Sequence, residues 1–119
     1  MKIADILEKM ETTVYSPGDG EKSIDGVILG DLFSFVMAEA REGWLWITIQ
    51  IHLNVSAVAV LKDVPFILLA SDRKPEKELI ERCAAEGITL AGTPLTSYEA
   101  AENFIYRASA GHTHPQRWG

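Results

Sequence analysis

The sequence predicts a single compact α/β domain whose mostly parallel β-sheet is flanked by helices. Strand signals and helix signals alternate along the 119 residues with short connections. The strand-like runs lack polar alternation, which is typical of strands buried on both faces of a parallel sheet. We therefore expect one domain over residues 1–108, with right-handed crossovers. Residues 109–119 show no periodicity, and we expect a flexible tail there.

The first elements are a helix, a short strand and a second strand. Residues 1–10 carry apolar residues at helical spacing and predict the first helix, and the β-prone residues 11–15 follow it. The polar, turn-rich residues 16–23 predict a solvated hairpin loop. The apolar residues 24–29 then predict a strand, after which Asp31 is the expected N-cap of the next helix.

A strand-and-helix unit occupies the middle of the chain. The predicted helix over residues 32–40 ends before Gly43, and the apolar residues 45–49 predict the next strand. Asn54 is the expected N-cap of a helix over residues 55–62. This alternation of strand and helix favours parallel strand pairing.

The unit then recurs, beginning with an apolar strand over residues 65–70. Pro75 near the first turn and Gly87 after the last turn bound a strong predicted helix over residues 76–86. Acidic residues in its first turn suit the helix dipole.

A last strand and helix complete the domain. Residues 88–91 predict the strand, and residues 98–108 the helix. Thr96 and Glu99 have the spacing of a capping box at the start of that helix.

Composition and charge exclude several classes of protein. The 47% hydrophobic and 24% charged residues exclude wholesale disorder, and no apolar run is long enough for a membrane-spanning helix. The net charge of −6 disfavours nucleic acid and anionic membranes as partners. Cys83 cannot form an internal disulfide, and no secretory signal precedes the domain, so we expect a cytoplasmic protein. We interpret Cys83 as a buried small hydrophobe.

Two motifs suggest chemistry but fail on spacing. Residues 19–23 resemble a phosphate-binding loop, but the spacing of glycines and lysine is wrong and the segment precedes a strand. This removes the best case for an ATP-dependent kinase. His112 and His114 form a pair in the tail without further ligands for a closed metal site. We therefore expect no catalytic residue, no metal and no cofactor.

The most informative polar cluster follows the strand at residues 45–49. Gln50, His52 and Asn54 alternate there, so in an extended segment their side chains share one face. Ligands of open α/β sheets bind outside the carboxyl ends of the strands. The alternative is that Asn54 only caps a helix and that His52 is a satisfied boundary residue.

A second polar cluster follows the next strand. Ser71, Asp72 and Arg73 occupy the equivalent place, where the guanidinium can bind phosphate or carboxylate. The alternative is a solvated turn in which Asp72 bonds its own backbone. Asp31 and Thr96, in the loops after other strands, complete the candidate ligand-binding set, with helix capping as the competing role.

Several aromatic residues suggest an interaction surface. Trp44 and Trp46 lie on one face of a strand, where they form either a partner surface or a large piece of core. Phe33 and Phe35 make the helix predicted over residues 32–40 apolar on more than one side, which favours a homodimer. Trp118 in the tail is a further candidate for docking on a neighbour.

Residues 27–103 resemble the DRTGG domain family, which is related to the N-terminal domain of HPr kinase/phosphorylase. The segments that carry the resemblance are VILGDLFSFVMAEAREGWLWITIQIHLNVSAVAVLKDV and PFILLASDRKPEKELIERCAAEGITLAGTPLTSYEAAENF. The family's naming residues fall at residues 49–52 and 70–72. Here IQIH stands in place of the Gly-Asp-Arg stretch, and ASD in place of Thr-Gly-Gly.

The resemblance implies a compact α/β domain with a regulatory or ligand-sensing role and no catalysis of its own. Similar stand-alone members carry a "serine kinase" label inherited from HPr kinase, and some occur near iron-only hydrogenase genes. We do not expect the label to apply, because a P-loop kinase domain is not present in this sequence.

The leading hypothesis is a non-catalytic regulatory domain that binds a small anionic or nucleotide-like ligand at the strand-end loops. The alternative is a protein-interaction module that acts through homodimerisation and partner docking, with a hydrogenase-associated protein as one candidate partner. An enzyme that uses His52 as an acid or base with Asp31 or Asp72 is a distant third.

Overall fold

The computed structural model describes residues 1–108 and the backbone of residues 116–118. The elements in chain order are α1 (Ile3–Lys9), β1 (Thr13–Ser16), β2 (Gly26–Leu29), α2 (Phe33–Glu39), β3 (Trp44–Thr48), α3 (Asn54–Leu61), β4 (Phe66–Leu69), α4 (Lys77–Glu86), β5 (Thr89–Gly92), α5 (Ser97–Ala108) and β6 (Gln116–Trp118). All ten elements predicted within residues 1–108 are present, with ends that differ by a few residues.

The strands form one sheet in the order β1-β5-β4-β3-β2-β6. β2, β3, β4 and β5 pair in parallel, and β6 joins β2 in parallel. β1 pairs with β5 and forms the antiparallel pair among the described strands. The prediction of a mostly parallel sheet in one α/β domain is confirmed.

Helices cover both faces of the sheet. α1 and α5 pack on one face, where Ile6 and Phe104 are buried against Leu45 and Phe66. α2, α3 and α4 pack on the other face. Every residue of β3 and β4 is buried, as the uninterrupted apolar runs predict. Each fully buried side chain of leucine size contributes about 1.5–3 kcal/mol to the hydrophobic term.

Trp44 and Trp46 belong to this core and do not form a partner surface. Both are buried on the face covered by α2, α3 and α4. Trp46 Nε1 donates a hydrogen bond of 2.9 Å to the carbonyl of Gly30. The ring of Phe33 meets Trp46 edge-on, with 5.9 Å between ring centroids. Of the two roles open for these tryptophans, the structure assigns the core.

The loop at residues 16–23 is not a hairpin. It leads from β1 to β2, which lie far apart in the strand order. Its carbonyls accept hydrogen bonds of 2.9 Å from the amides of Ile3 and Ala4, which are free donors at the start of α1. Gly18 has φ +54°, and a Cβ there would lie 2.6 Å from the backbone nitrogen of Thr89. This loop therefore contacts α1 and the start of β5, although most of its residues are exposed, as the prediction of a solvated loop has it.

Two predictions about α4, its end at Gly87 and the burial of Cys83, are confirmed. The helix ends at Gly87, which adopts the left-handed conformation with φ +69°. Cys83 is buried in the core, and this burial raises the pKa of its thiol to about 11. A thiol with a raised pKa is a poor nucleophile at neutral pH.

The end of the chain differs from the expected irregular tail at one point. Residues 116–118 extend the sheet as β6, which pairs with β2 in the register Ile28 to Arg117. Residues 109–115 and 119, including His112 and His114, lie outside the described residues. In the part of the chain that is described, no helix has the length and apolar character needed to cross a membrane.

Candidate functional site at the carboxyl edge of the sheet

The loops after the parallel strands meet at one edge of the sheet, here called the carboxyl edge. Backbone hydrogen bonds continue the ladder beyond the strands and tie neighbouring loops together. They join the amides of Gly30, Ala70 and Thr93 to the carbonyls of Ile47, Thr48 and Leu69 at 3.2, 3.0 and 2.9 Å, respectively. The loops that carry the predicted site residues thus form one continuous surface.

Asp31 connects the loop after β2 to the end of β3. Its Oδ1 accepts hydrogen bonds from the Thr48 hydroxyl at 2.7 Å and from the amide of Ile49 at 2.8 Å. The side chain of Gln50 donates to the carbonyl of Asp31 at 3.1 Å. Asp31 does not cap α2, which begins after Leu32 without a side-chain cap. The prediction of an N-cap was wrong because the strand-end donors of β3 lie within reach of the carboxylate.

His52 pairs with Glu76 across the gap between β3 and α4. Nδ1 of His52 lies 2.7 Å from Oε2 of Glu76, and the two side chains are 59% and 43% exposed. The amide of Glu76 also donates to the carbonyl of Ile51 at 3.1 Å. The pair fixes the imidazole while its Nε2 has no hydrogen-bond partner among the described residues. An exposed pair of this kind contributes little to stability.

Glu76 was not among the predicted site residues. It lies 24 residues beyond His52 in the sequence. It lies directly before α4, where an acidic residue has a sufficient explanation in the helix dipole. Only the packing of α4 beside the loop after β3 brings the two side chains together.

Asn54 does not cap a helix. It is the first residue of α3, the preceding Leu53 has helical dihedral angles, and no side-chain capping bond is present. The prediction of an N-cap was wrong because the helical turn begins earlier, with the amide of Val55 donating to the carbonyl of His52 at 3.0 Å. The Asn54 side chain is exposed beside His52, at one end of a groove of about 670 Å³ between α3 and α4.

The turn after β4 has an unusual backbone. Ser71 and Asp72 both have φ +57°, in the left-handed region that residues with a side chain rarely adopt. Their amides donate to the carbonyls of Leu95 at 2.7 Å and Thr93 at 2.9 Å. These hydrogen bonds hold the turn against the loop after β5. They also occupy amides that would otherwise be available to an anion.

Arg73 is the exposed cation of this turn. Its side chain has no hydrogen bond or ion pair with any other described residue. The neighbouring Lys74 instead lies 3.0 Å from Asp72, and this hydrogen bond raises the pKa of the lysine. Asp72 thus lies in a solvated turn, but its carboxylate binds Lys74 and not the backbone that the alternative interpretation names. The guanidinium of Arg73 is left to solvent.

Thr96 forms the predicted capping box. Its hydroxyl accepts from the amide of Glu99 at 3.1 Å, and Glu99 Oε1 accepts from the amide of Thr96 at 2.9 Å. These hydrogen bonds lower the pKa of Glu99. The capping prediction is confirmed, and it explains Thr96 without a ligand.

Tyr15 lies at the carboxyl edge and was not predicted there. A Cβ on Gly92 would be 3.1 Å from Cε2 of Tyr15 and 3.8 Å from the carbonyl oxygen of Arg73. The half-buried ring therefore covers the end of β5 beside the cationic turn. No local signal marks it, because Tyr15 arrives from the antiparallel β1 at the other end of the sequence.

The structure does not pair His52 with Asp31 or Asp72, the acid–base pairs that the sequence suggested. The carboxylate on Nδ1 of His52 belongs to Glu76, whereas Asp31 binds Thr48 and Asp72 binds Lys74. Among the described side chains, no group of three or more His, Cys, Asp or Glu residues is placed to hold a metal ion.

Comparison with known proteins identifies the fold. No protein-family model matches the sequence, and no curated protein matches it significantly. The structure is similar to the CBS and DRTGG domains of the regulatory region of Clostridium perfringens pyrophosphatase, which were crystallised with the activator diadenosine tetraphosphate. The TM-score is 0.69 at 18% sequence identity, over 87% of this chain and 46% of that one. The fold is DRTGG-like. The chain covers about half the length of that regulatory region.

The DRTGG-like fold gives the turn after β4 a physical interpretation. The DRTGG domain family, which the sequence resembles, has Gly-Gly at the positions of Ser71 and Asp72. Both residues have φ +57°, a conformation that glycine adopts without steric cost. This chain thus has a left-handed turn where the family has glycines, although its own residues each disfavour that conformation by about 1 kcal/mol.

Proposed function

We propose that this chain is a non-catalytic regulatory domain that binds a small anionic or nucleotide-like ligand at the carboxyl edge. The similar regulatory region of the Clostridium perfringens pyrophosphatase was crystallised with diadenosine tetraphosphate, described as its activator. That likeness supports ligand sensing as the role of this fold. We place the protein in the cytoplasm, because its cysteine is a free thiol.

The observation that carries the proposal is the exposed guanidinium of Arg73. It stands on a turn whose backbone is held in the left-handed region by hydrogen bonds to the next loop. Arginine binds phosphate and carboxylate through two parallel hydrogen bonds, and a guanidinium without an internal partner is free to do so. Because the net charge is −6, an anionic ligand depends on local cations such as this one for electrostatic attraction.

The other proposed ligand contacts lie on loops at the same edge of the sheet. Nε2 of His52, the side chain of Asn54 and the hydroxyl of Ser71 are hydrogen-bonding groups on the same edge, and none has a side-chain partner that would withdraw it from a ligand. Asp31, Gln50, Asp72 and Thr96 complete the proposed set, and their internal hydrogen bonds suit them to shaping the loops. Tyr15 adds an aromatic surface beside Arg73.

Isothermal titration calorimetry against nucleotides and phosphorylated metabolites tests this function, with diadenosine tetraphosphate included as a probe. We expect one member of the panel to bind. Arg73→Gln should weaken that binding by about 10- to 100-fold, the usual effect of losing charged hydrogen bonds.

Arg41 provides the matched control. It is exposed and lies just before β3, at the opposite edge of the sheet, so Arg41→Gln should leave the affinity unchanged. Absence of heat with every compound would contradict ligand sensing. Equal losses in the two variants would place the ligand elsewhere.

A protein-interaction module is the second candidate function. Trp44 and Trp46 no longer support it, since both are buried in the core. The exposed apolar residues on the outer surface of α3 favour it instead. Co-purification of a defined host protein that is lost on mutation of that surface would support docking on a partner.

A further inference from the structure

The outer surface of α3 is apolar although it faces solvent. Exposed apolar residues form one line along the helix, here called the α3 stripe: Leu53, Ala57, Val60 and Leu61. The inner side of the same helix is buried in the core. A helix on the protein surface normally carries polar residues on its solvent side. A line of apolar side chains in their place indicates an interaction surface.

The α3 stripe forms one wall of the groove of about 670 Å³ between α3 and α4. Both helices connect parallel strands, so they begin at the carboxyl edge and end at the opposite edge of the sheet, here called the amino edge. The lining of the groove extends from His52 to Leu61, which is the whole length of α3. A furrow between two neighbouring helices is a place where a third helix packs, with its ridge of side chains in the furrow.

The α4 wall of the groove is acidic on balance. It carries Glu76 and Glu86 with Arg82 between them in sequence. Glu76 lies 2.7 Å from His52 and Glu86 lies 3.5 Å from Arg82, but each of these side chains is more than one third exposed. Exposed pairs of this kind contribute little to stability and exchange partners at little cost. Both carboxylates are therefore open to a cation from another molecule.

The negative charge increases toward the amino edge. There the groove meets a second recess of about 380 Å³, with which it shares Val60 and Glu86. Glu42 and Asp63 line this recess, and Lys22 is the cation among its lining residues. The carboxylates of Glu42 and Asp63 make no hydrogen bond or ion pair with any other described residue. The negative ends of the α3 and α4 dipoles lie at the same place.

We propose that the groove binds a basic amphipathic helix of a partner protein. The apolar side chains of such a helix, spaced by three and four residues, pack on the α3 stripe. Its lysine and arginine side chains reach the carboxylates of α4 and of the recess. The proposal rests on the second candidate function, the protein-interaction module, and does not depend on the anion site at Arg73.

Charge complementarity favours this occupant. The groove and the recess together present more carboxylates than cations: Glu42, Asp63, Glu76 and Glu86, with Lys22 and Arg82. Arg41 and Lys62 lie on the outer side of the same corner and line neither the groove nor the recess. A second copy of this chain, with its net charge of −6, would bring like charges together.

Fluorescence polarisation with a labelled synthetic peptide tests the proposal. The probe has about 15 residues of leucine and lysine, with the leucines on one side of the helix, and spans about 22 Å. We expect saturable binding that weakens as salt is added, because salt screens exposed charges. A peptide of the same composition, with the leucines spread around the helix, is the control. It should bind about tenfold more weakly.

Leu61→Gln tests the apolar wall without changing the net charge. It should weaken peptide binding about 10-fold, because the leucine side chain is no longer buried in the complex. Leu61 is 69% exposed, so the fold of the free protein tolerates the change. Leu32→Gln is the matched control, since Leu32 is 65% exposed and lies outside the groove. It should bind the peptide like the wild type.

Glu86→Gln and Arg82→Gln test the charge with opposite signs. Both remove the same contact between Arg82 and Glu86, so a merely structural effect would have one sign. Glu86→Gln should weaken peptide binding about 2- to 5-fold, and Arg82→Gln should strengthen it by a similar factor. Glu81→Gln controls for overall charge, because Glu81 is exposed on α4 outside the groove. It should change the affinity less than Glu86→Gln does.

Equal binding of the two peptides would overturn the proposal, as would a change of the same sign in Glu86→Gln and Arg82→Gln. Self-association of the chain that Leu61→Gln abolishes would assign the surface to a second copy instead. A defined host protein that docks on the α3 stripe while the basic peptide does not would retain the interaction module and exclude this partner. Arg73→Gln should bind the peptide like the wild type, so failure here is distinguishable from failure of the anion site.

Discussion

Helices α3 and α5 cover opposite faces of the same sheet, and their outer surfaces differ. α5 is amphipathic, with Phe104 buried and charged residues such as Glu102 on the solvent side. α3 has almost no polar side, and Leu61 stands in solvent. The inner faces of both helices contribute to the core, but only α5 has the charged outer side that is typical of a helix on the protein surface. This difference separates the inner faces, which stabilise the fold in both helices, from the outer faces, of which only that of α3 is apolar.

The largest expected effect concerns the inner face of α5. Phe104 is 1% exposed and lies among the core residues of that face. Phe104→Ala should lower the free energy of unfolding by about 3–5 kcal/mol, because it removes apolar burial and leaves a cavity. Urea denaturation followed by circular dichroism measures this loss. Leu61→Ala, on the outer side of α3, should cost far less, and an equal loss would remove the contrast between the inner and outer faces.

The second effect concerns the left-handed turn after β4, which is hydrogen-bonded to the loop between β5 and α5. Ser71 has φ +57°, and its amide bonds the loop that leads into α5. Ser71→Gly should raise the stability by about 1 kcal/mol, because glycine adopts this conformation without steric cost. Thermal denaturation of the variant checks the sign. Ser97→Gly, at the first position of α5, is the control and should not stabilise. A loss of stability in Ser71→Gly would contradict the assigned strain.

The third effect concerns how the two helices begin. α5 has a capping box made by Thr96 and Glu99, whereas α3 has no side-chain cap at Asn54. Thr96→Ala should cost about 1 kcal/mol, and Asn54→Ala should cost much less. Chemical denaturation of the two variants side by side measures the difference. Equal losses would mean that Asn54 has a capping role after all.

The smallest expected effect is a pH dependence of the same capping box. The folded state lowers the pKa of Glu99 through its hydrogen bonds to Thr96. Its contribution to stability is therefore present above the unfolded pKa, about 4.3, and is lost as the pH falls through the lower folded value. Glu99→Gln should be less stable than the wild type at neutral pH, and the gap should close at strongly acidic pH. Thermal melts at both pH values measure it. A gap that is unchanged at low pH would exclude the charge as its cause.

Local sequence signals predicted most of the fold. The ten elements of residues 1–108, the stop at Gly87 and the capping box at Thr96 each follow from residues within one helical turn or one strand. The burial of Cys83 follows from its place among apolar neighbours in α4. Predictions of this kind hold because the interacting groups are neighbours in sequence, so their geometry is set by the helix or strand itself.

Three of the errors share one cause, which is a contact between distant residues. Asp31 was predicted to cap α2, but Thr48 and Ile49 are closer donors once β2 and β3 pair. Glu76 joins His52 only because α4 packs beside the loop after β3. The loop at residues 16–23 has hairpin composition, yet its strands lie far apart in the sheet.

What the sequence by itself determined is the alternation of strands and helices, the two-sided burial of the central strands and the apolar character of α3. Only the tertiary structure decided the strand order, the placement of Trp44 and Trp46 in the core, the left-handed turn at Ser71 and Asp72, and the exposure of Arg73 and Leu61. The physical reason is that periodicity and capping act over a few residues, whereas exposure and hydrogen-bond partners depend on which distant segments pack together.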